Sequence, residues 1–480
     1  MCPAVRTQRL PTVVVALLII VLSVFSAGLS AAAPGGRSAA PGPPIGVGPV
    51  GTSLIHGDLA STDSTPLRGP GRTARVAASS IPGGACAATF VGSDGLVVSL
   101  CTKFIGLRPP QFAVATVVLF DPVTAAPLAS KQLTKGGLLG GVYGYLDDRD
   151  RVVVADGSNS ILRVAHRRTP RGWQLFIDDR VDLGRHIPAG DAVTGLAPDW
   201  QGRVWFATTN GVIGTVDAKR RVASMRLPRG EKLGNGLSVR PSGASVLSTH
   251  ALYEMRAGKN GVPYPVWRRA YDRGPARKPG QLTWGSGTTP TYFGPGGDGW
   301  VAIADNAIRP NLLVYESDTG ITVCSMKAFG TSGQGTENSI LAWGNSLVVP
   351  STYGYQYPPM AVDGPSSPAN AAFTGGSTRI DVTAEGCRRV WENDDRIATL
   401  PRLSRADGLI HAFGYGPVRP GIQQLGPVYY LATDFETGRR VATLKVGDAP
   451  FDEPLELTGT IGPGNSMWQA SLGRMIKISG

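Results

Sequence analysis

Two short patterns recur along most of this chain, and they constrain its fold more than any other feature. The first is a Gly or Asp turn followed by an apolar strand, as in "SDGLVVSL" at 93–100, "WQGRVWFAT" at 200–208 and "GGDGWVAIA" at 296–304. The second is a polar turn between two strands, as in "FDPVTAAPLASKQL" at 120–133 and "ATDFETGRRVATL" at 432–444. The turns return at intervals of about 50 residues, the period of a propeller blade. Since one blade cannot bury its own faces, the units must stack around an axis.

We therefore predict an all-β fold, a single β-propeller over residues 81–480. The patterns give eight four-stranded blades, with seven as the alternative. The chain has 64 Gly and 38 Pro and no persistent helical period, which favours short strands and turns. The last unit ends after its third strand, so we expect a strand near 72–80 to complete that blade. The alternative is an open ring.

The first 33 residues have the layout of a signal peptide. Arg6 and Arg9 precede the apolar run "VVVALLIIVLSVFSAG", and the small residues "SAAA" end at Ala33. An uncleaved anchor is the alternative, because the apolar run approaches the length of a spanning helix. Residues 34–80 are rich in Gly, Pro, Ser and Ala, and we interpret them as a linker or stalk. We expect a secreted or extracytoplasmic envelope protein, without a transmembrane helix once the signal is removed.

The cysteines predict disulfide bonds. Beyond Cys2 the chain has an even set, Cys86, Cys101, Cys324 and Cys387, which suits an oxidising compartment. Cys86 and Cys101 lie symmetrically about the turn at 93–95, so we pair them across a hairpin. Cys324 then pairs with Cys387 by elimination, the alternative being an unpaired buried thiol.

Five stretches carry a family resemblance: "GGVYGYLDDRDRVVVA", "LAPDWQGRVWFATTNGVIGTVD", "RKPGQLTWGSGTTPTYFG", "AIADNAIRPNLLVYE" and "GTENSILAWGNSLVVPSTYGY". Over about residues 84–480 the chain resembles exported bacterial quinoprotein-like (PQQ-repeat-like) β-propellers, a family without assigned activity and distantly similar to strictosidine-synthase-like propellers. Quinoprotein enzymes commonly dock their blades through repeated Trp motifs and hold PQQ with acidic residues and a vicinal disulfide. Neither feature is evident here, so PQQ is not expected as a cofactor.

Propeller geometry predicts where a ligand would bind. The loops that enter the innermost strands converge at one end of the central channel. Their polar residues are Asp191, Thr194, Asn235, Thr288, Thr289, Glu337, Asn338, Arg402 and Ser404. Four of them offer the hard oxygen ligands that Ca²⁺ prefers, namely Asp191, Asn235, Glu337 and Asn338. The alternative is that these ordinary turn residues only solvate the channel and bond to neighbouring loops.

Other catalytic machinery is not apparent in the sequence. No GxSxG, HExxH, P-loop or zinc spacing occurs, and none of the five histidines has a partner at motif distance, so a catalytic triad is unsupported. The longest insertion between units, residues 354–377, begins within a cluster of three tyrosines, Tyr353, Tyr355 and Tyr357. It either covers a binding site or forms a Pro-rich excursion.

The distribution of charge along the sequence indicates a second possible binding surface. The net charge is +12, and part of the surplus lies on two turns with Arg167, Arg168, Lys219, Arg220 and Arg221. These turns join third and fourth strands, which places them on the face opposite the polar loops. Such a basic patch fits anionic envelope polymers or lipid head groups, the alternative being solvated turns. Nucleic acid is not expected, because no stacking aromatic residues alternate with the arginines.

The sequence thus supports two functions. The first is an exported binding or scaffolding module of the cell envelope, whose partner is an unidentified small molecule or an anionic envelope component. The alternative is a Ca²⁺-dependent hydrolase of esters or lactones, in which the ion would polarise the carbonyl group at the channel mouth.

Overall fold

The computed structural model describes Met1 and residues 41–105, 111–135, 143–330, 334–417 and 426–480. The predicted signal peptide, apart from Met1, lies outside the described residues. Four three-residue 3-10 helices occur in these ranges, Gly71–Thr73, Gly184–His186, Pro295–Gly297 and Pro359–Ala361. No helix in the described ranges is long and apolar enough to span a bilayer.

Eight antiparallel sheets confirm the predicted propeller. We number the blades along the chain and give the strands of each from the innermost outward. Blade 1 comprises Gly84–Val91, Val97–Ile105, Gln111–Phe120 and Pro127–Gln132, and blade 2 comprises Gly144–Leu146, Val152–Ala155, Ser160–Thr169 and Gly172–Asp182. Blade 3 comprises Val193–Pro198, Val204–Thr208, Val212–Val216 and Val222–Arg226, and blade 4 comprises Ser238–Arg240, Gly243–Leu247, Ala251–Ala257 and Pro263–Ala270.

The other four blades continue the same order. Blade 5 comprises Thr291–Phe293, Trp300–Ala304, Asn311–Glu316 and Thr322–Lys327, and blade 6 comprises Leu341–Trp343, Ser346–Pro350, Ser377–Thr383 and Gly386–Asn393. Blade 7 comprises Arg402–Ser404, Leu409–Tyr415, Pro427–Asp434 and Arg440–Asp448, and blade 8 comprises Thr460–Gly462, Ser466–Ala470, Met475–Ser479 and Arg75–Ser80. Blade 7 gains two short strands, Ser64–Thr65 and Arg396–Ile397.

The hydrophobic core lies between the blades. Second strands such as Val152–Ala155 and Val204–Thr208 are buried along their whole length, whereas the outer strand Pro127–Gln132 alternates between half-buried and exposed residues. Phe90 of blade 1, for example, belongs to the same apolar cluster as Leu146 of blade 2. Inner strands covered on both faces therefore read as continuous apolar runs, which is why the sequence pattern marked them clearly.

The last blade is closed as predicted. The N-terminal strand Arg75–Ser80 pairs antiparallel with Met475–Ser479, with Arg75 opposite Ser479 and Ser80 opposite Met475. This pairing supplies the missing outer strand of blade 8 and joins the two ends of the ring. The alternative of an open ring is excluded.

Residues 46–65, which we call the channel segment, run along the innermost strands of the propeller. Their carbonyl groups accept hydrogen bonds from innermost-strand N–H groups of six blades, one from each blade: Val91, Leu146, Val239, Tyr292, Ala342 and Leu403. The N–H of Gly48 also donates to the carbonyl of Leu146. A segment that reaches the inner edges of blades 1, 2, 4, 5, 6 and 7 occupies the central channel.

This placement differs from the linker interpretation of residues 34–80. That interpretation rested on the small number of large apolar side chains, yet most of residues 51–65 are buried. The burial is possible because backbone groups and small hydroxyl side chains pair with strand edges that would otherwise lack partners. Composition measures side-chain hydrophobicity and does not register this kind of packing.

Both predicted disulfides are present, Cys86–Cys101 and Cys324–Cys387, with sequence separations of 15 and 63 residues. Cys86 and Cys101 are opposite each other in neighbouring strands of blade 1. The bonds are compatible with an oxidising compartment outside the cytoplasm.

We expect the double variant Cys86→Ser, Cys101→Ser to lose about 3 kcal/mol of unfolding free energy, because a 15-residue loop is no longer closed in the unfolded chain. The longer loop makes the expected loss for Cys324→Ser, Cys387→Ser about 4 kcal/mol. Urea unfolding of both variants checks the values. An unchanged midpoint in both would contradict the expectation.

Candidate functional site

A cavity of about 170 Å³, which we call the mouth cavity, lies where the loops enter the innermost strands. Loops leading into the innermost strands of blades 2, 4, 5, 6, 7 and 8 contribute to its wall. Its polar lining residues are His56, Thr102, Tyr143, Asn235, Thr289, Glu337, Ser339, Tyr357, Glu456 and Thr458. The rest of the wall is mainly Leu, Ile, Ala and Pro, so a few polar groups converge on an apolar space.

Three of the residues predicted at the channel mouth line this cavity, Asn235, Thr289 and Glu337. The other predicted residues do not line the cavity, and several are hydrogen-bonded to neighbouring parts of the chain. The hydroxyl of Thr194 lies 3.3 Å from the carbonyl of Leu233, and that of Ser404 lies 2.7 Å from the carbonyl of Leu67. Thr288 is fully buried against Ser286.

The predicted calcium ligands do not all lie at the cavity. Asp191 is not among the lining residues, and its carboxylate accepts hydrogen bonds from the Thr208 hydroxyl and from the backbone N–H groups of Ala192 and Asn210. An Asp at a turn satisfies local backbone donors in this way, and its residue type alone does not separate this role from metal binding. Within the described ranges, no three His, Cys, Asp or Glu side chains are grouped to hold a metal. A calcium site thus stays a prediction.

Two buried carboxyl groups face the cavity. Burial raises the pKa of Glu337 to about 8, although the backbone N–H of Leu282, 3.0 Å from Oε2, opposes the shift. Burial also raises the pKa of Glu456 well above its usual range, the Asn338 side chain opposing the shift. Oε1 of Glu337 and Oδ1 of Asn338 are buried without a hydrogen-bond partner. Each such acceptor is costly to keep in an apolar surrounding.

The insertion 354–377 forms part of the wall. Tyr357, Pro358 and Ala361 line the cavity, while Tyr355 is buried beside them, its hydroxyl 2.5 Å from Oε1 of Glu453. Burial raises the pKa of Glu453 as well. The insertion therefore packs against the acidic side of the site, as the covering role requires.

The channel segment adds a histidine and an aspartate that sequence reasoning missed. His56 Nδ1 lies 3.2 Å from both carboxylate oxygens of Asp63, and Nε2 lies 3.4 Å from the hydroxyl of Thr289. Arg402 forms an ion pair with Asp63 and also donates to the carbonyl of Ile55, so this predicted mouth residue holds the channel segment in place. No motif spacing relates positions 56, 63 and 289, and the first two lie in the stretch interpreted as a linker.

A second cavity of about 380 Å³ lies beside the channel segment. It is lined by turns that follow innermost strands, including Arg240, Gly294, Gly344 and Arg405, and by Trp200. These turns lie at the opposite end of the innermost strands from the mouth cavity.

The predicted basic patch is partly neutralised. Arg220 pairs with Asp179 at 2.6 Å and Arg221 pairs with Asp217 at 2.6 Å. The guanidinium groups of Arg167 and Arg168 lie over aromatic rings, those of Phe176 and Trp173 respectively. Lys219, Arg220 and Arg221 lie between the third and fourth strands of blade 3, as predicted, whereas Arg167 and Arg168 lie within the third strand of blade 2, Ser160–Thr169.

No protein-family model matches this sequence, and none of the curated proteins matches it either. Among solved structures, a europium-containing methanol dehydrogenase is similar, with a TM-score of 0.54 and 10% identity over 89% of this chain and 98% of that chain. BamB from Moraxella catarrhalis has a TM-score of 0.39 and 12% identity over 69% and 94% of the two chains. The computationally designed Ika8 protein has a TM-score of 0.46 and 12% identity over 84% and 99%.

Sequence identities this low show a similarity of fold alone. The chain is an eight-bladed β-propeller, and its similarity to the methanol dehydrogenase is a similarity of fold. The channel segment brings His56 to the mouth cavity, with Asp63 in contact with its imidazole. Membership of a particular family stays a prediction.

Proposed function

We propose that this protein is an exported binding module of the cell envelope that takes a small organic ammonium ion in the mouth cavity. The observation that supports it is the pair of buried carboxyl groups of Glu337 and Glu456, which line the cavity, Oε1 of Glu337 having no hydrogen-bond donor. A primary ammonium group supplies three N–H donors, and its positive charge would favour the ionised form of the two buried carboxyl groups.

The apolar walls of the cavity fit the hydrocarbon part of such a ligand. The walls include Ile55, Leu282, Leu400 and Leu457, against which a short hydrocarbon chain buries its surface. The rings of tyrosines in the wall, such as Tyr143, are negative on their faces and favour a cation. The volume of about 170 Å³ lies below the range of drug-sized pockets, so the ligand is expected to be small.

The envelope location is part of the proposal. It is supported by the predicted signal peptide and by two disulfides, which persist in oxidising compartments. An anionic envelope component on the basic patch stays a further predicted partner.

We expect n-butylammonium to raise the melting temperature of the full chain, whereas 1-butanol, which has the same chain length without the charge, does not. Because Glu337 must ionise to pair with the cation and its pKa is about 8, the affinity should rise about tenfold per pH unit below about pH 7 and level off near pH 8. Thermal unfolding with a ligand titration at each pH measures this. Equal, pH-independent responses to both compounds would contradict the proposal.

The variant Glu337→Gln provides the control. The raised pKa stabilises the folded state below about pH 4.5, and this contribution is lost as the pH rises through about 8. The variant should therefore be more stable than the parent chain at pH 8 and should lose the butylammonium response. A variant that keeps the full response would rule out Glu337 as the partner of the cation.

A calcium-dependent hydrolase of esters or lactones is the second candidate function. It is favoured by the hard oxygens of Glu337, Asn338 and Glu456, since Ca²⁺ takes such ligands in sets of six to eight. These side chains would hold the ion, which would polarise a carbonyl group. A melting temperature that rises with CaCl₂, falls with EDTA and ignores butylammonium would replace the first candidate with this one.

A further inference from the structure

We propose that Thr289, His56 and Asp63 form a hydrolytic triad that cleaves small carboxylic esters in the mouth cavity, with Thr289 as the nucleophile. Thr289 and His56 both line the cavity, and Asp63 is buried behind His56. The inference does not depend on an ammonium ligand, since it concerns a different set of residues on the wall of the same cavity.

The hydrogen bonds orient the imidazole for this role. Nδ1 of His56 is 3.2 Å from each carboxylate oxygen of Asp63, so the ring proton on Nδ1 is donated to that carboxylate. The lone pair of Nε2 is then free to accept the hydroxyl proton of Thr289, whose Oγ1 lies 3.4 Å away. Hydroxyl, imidazole and carboxylate thus follow one another in the order that a nucleophile, its general base and an orienting group require. Contacts of this kind are often long in the absence of substrate.

The carboxylate is held in its ionised form. Burial by itself raises the pKa of Asp63, but His56 and Arg402 outweigh this and hold the pKa below its usual range. The hydroxyl of Ser339 also donates to Asp63. Since Asp63 is 1% exposed, water does not compete for these contacts, and the carboxylate stays available to stabilise an imidazolium ion.

The reaction balances with water as the only co-reactant. Oγ1 of Thr289 bonds to the ester carbonyl carbon while its proton passes to Nε2 of His56. The carbon–oxygen bond to the leaving alcohol then breaks, and the imidazolium returns the proton to the alkoxide. A water molecule, deprotonated by the same nitrogen, cleaves the acyl–threonine ester and releases the carboxylic acid, with the proton returning to Oγ1.

The cavity restricts the substrate class. Its apolar walls and volume of about 170 Å³ admit short acyl and alkyl groups, and exclude large or highly charged esters. Simple esters such as p-nitrophenyl acetate and p-nitrophenyl butyrate are therefore the substrates to try first.

The test is hydrolysis of both p-nitrophenyl esters by the full chain in the presence of EDTA. We expect saturable release of p-nitrophenolate, with kcat/KM at least about 100-fold lower in Thr289→Val and in His56→Gln. The conservative variant Thr289→Ser, which keeps a hydroxyl group, should retain activity. Quenching during turnover and digesting the protein should show the acyl group on the peptide that contains Thr289.

His411→Gln is the matched control. His411 is also fully buried, lies 3.5 Å from Asp407 and 2.7 Å from the Tyr430 hydroxyl, and lines neither cavity described above. It should keep the parental activity at temperatures where it is folded. Activity that survives Thr289→Val, activity that disappears with EDTA, or a parent chain no faster than His56→Gln would each overturn the proposal. Failure of butylammonium to bind would not affect it.

Discussion

Asp63→Ala is expected to lower the free energy of unfolding by about 3–5 kcal/mol, because it leaves the guanidinium group of Arg402 buried without its counter-charge. The two side chains are 1% and 3% exposed, respectively. The same aspartate contacts His56 and Ser339, so the change also removes hydrogen bonds that fix the channel segment. Urea unfolding at pH 7 measures the loss.

Two controls separate this effect from the removal of any surface charge. Asp448→Ala breaks the ion pair with Lys445, in which both side chains are more than half exposed, and should cost less than about 1 kcal/mol. The double variant Asp63→Ala, Arg402→Met should be more stable than Asp63→Ala alone, since no unpaired charge remains. Equal stabilities of single and double variants would argue against a buried ion pair.

The same ion pair predicts a response to acid. The pKa of Asp63 lies below its ordinary value of 3.8 in the folded chain. Its contribution is therefore fully present above that ordinary value and is lost as the pH falls through the folded pKa. The parent chain should lose stability relative to Asp63→Ala only in strongly acidic solution.

The second large effect is expected at Gly57, where the channel segment turns. Gly57 has φ +80°, and an added Cβ would lie 2.6 Å from the carbonyl oxygen of Ser64. Gly57→Ala should therefore cost about 1–2 kcal/mol for the left-handed backbone and about 1–3 kcal/mol for the close contact. Denaturant unfolding of the variant gives the total.

Gly71 supplies the comparison. It has φ +72°, yet an added Cβ would have no neighbour within 4 Å. Gly71→Ala should thus show the backbone cost alone, and the difference between the two variants measures how tightly the channel segment is packed. Similar losses for both variants would indicate that residues 46–65 are loosely held in the channel.

Local patterns predicted much of the fold. The turn-and-strand repeats identified eight blades, the unfinished last repeat predicted the closing strand Arg75–Ser80, and the symmetry about the turn at 93–95 predicted Cys86–Cys101. Each of these rests on residues close in sequence or on a simple count of strands. The convergence of loops at the channel mouth followed from propeller geometry, and Asn235, Thr289 and Glu337 of the predicted set line the mouth cavity.

The roles of individual side chains could not be predicted in the same way. Asp191 and Glu337 both lie in loops before innermost strands, yet Asp191 accepts local hydrogen bonds whereas Glu337 faces the cavity with an unpaired oxygen. Arg402 was expected at the mouth and instead neutralises Asp63. Residue type and loop position do not distinguish these roles, because the direction in which a side chain points depends on its neighbours in space.

The number of blades and the closure of the ring can be predicted from the chain, because strand periodicity and turn chemistry are local properties. What fills the channel, and which groups meet at its mouth, depends on contacts between residues far apart in the sequence. His56, Thr289 and Glu456 are distant in sequence and share a cavity only after all eight blades have closed around the channel segment. Besides the apolar contacts of Leu54 and Leu59, this segment is held by backbone hydrogen bonds and one buried ion pair, neither of which has a compositional signature.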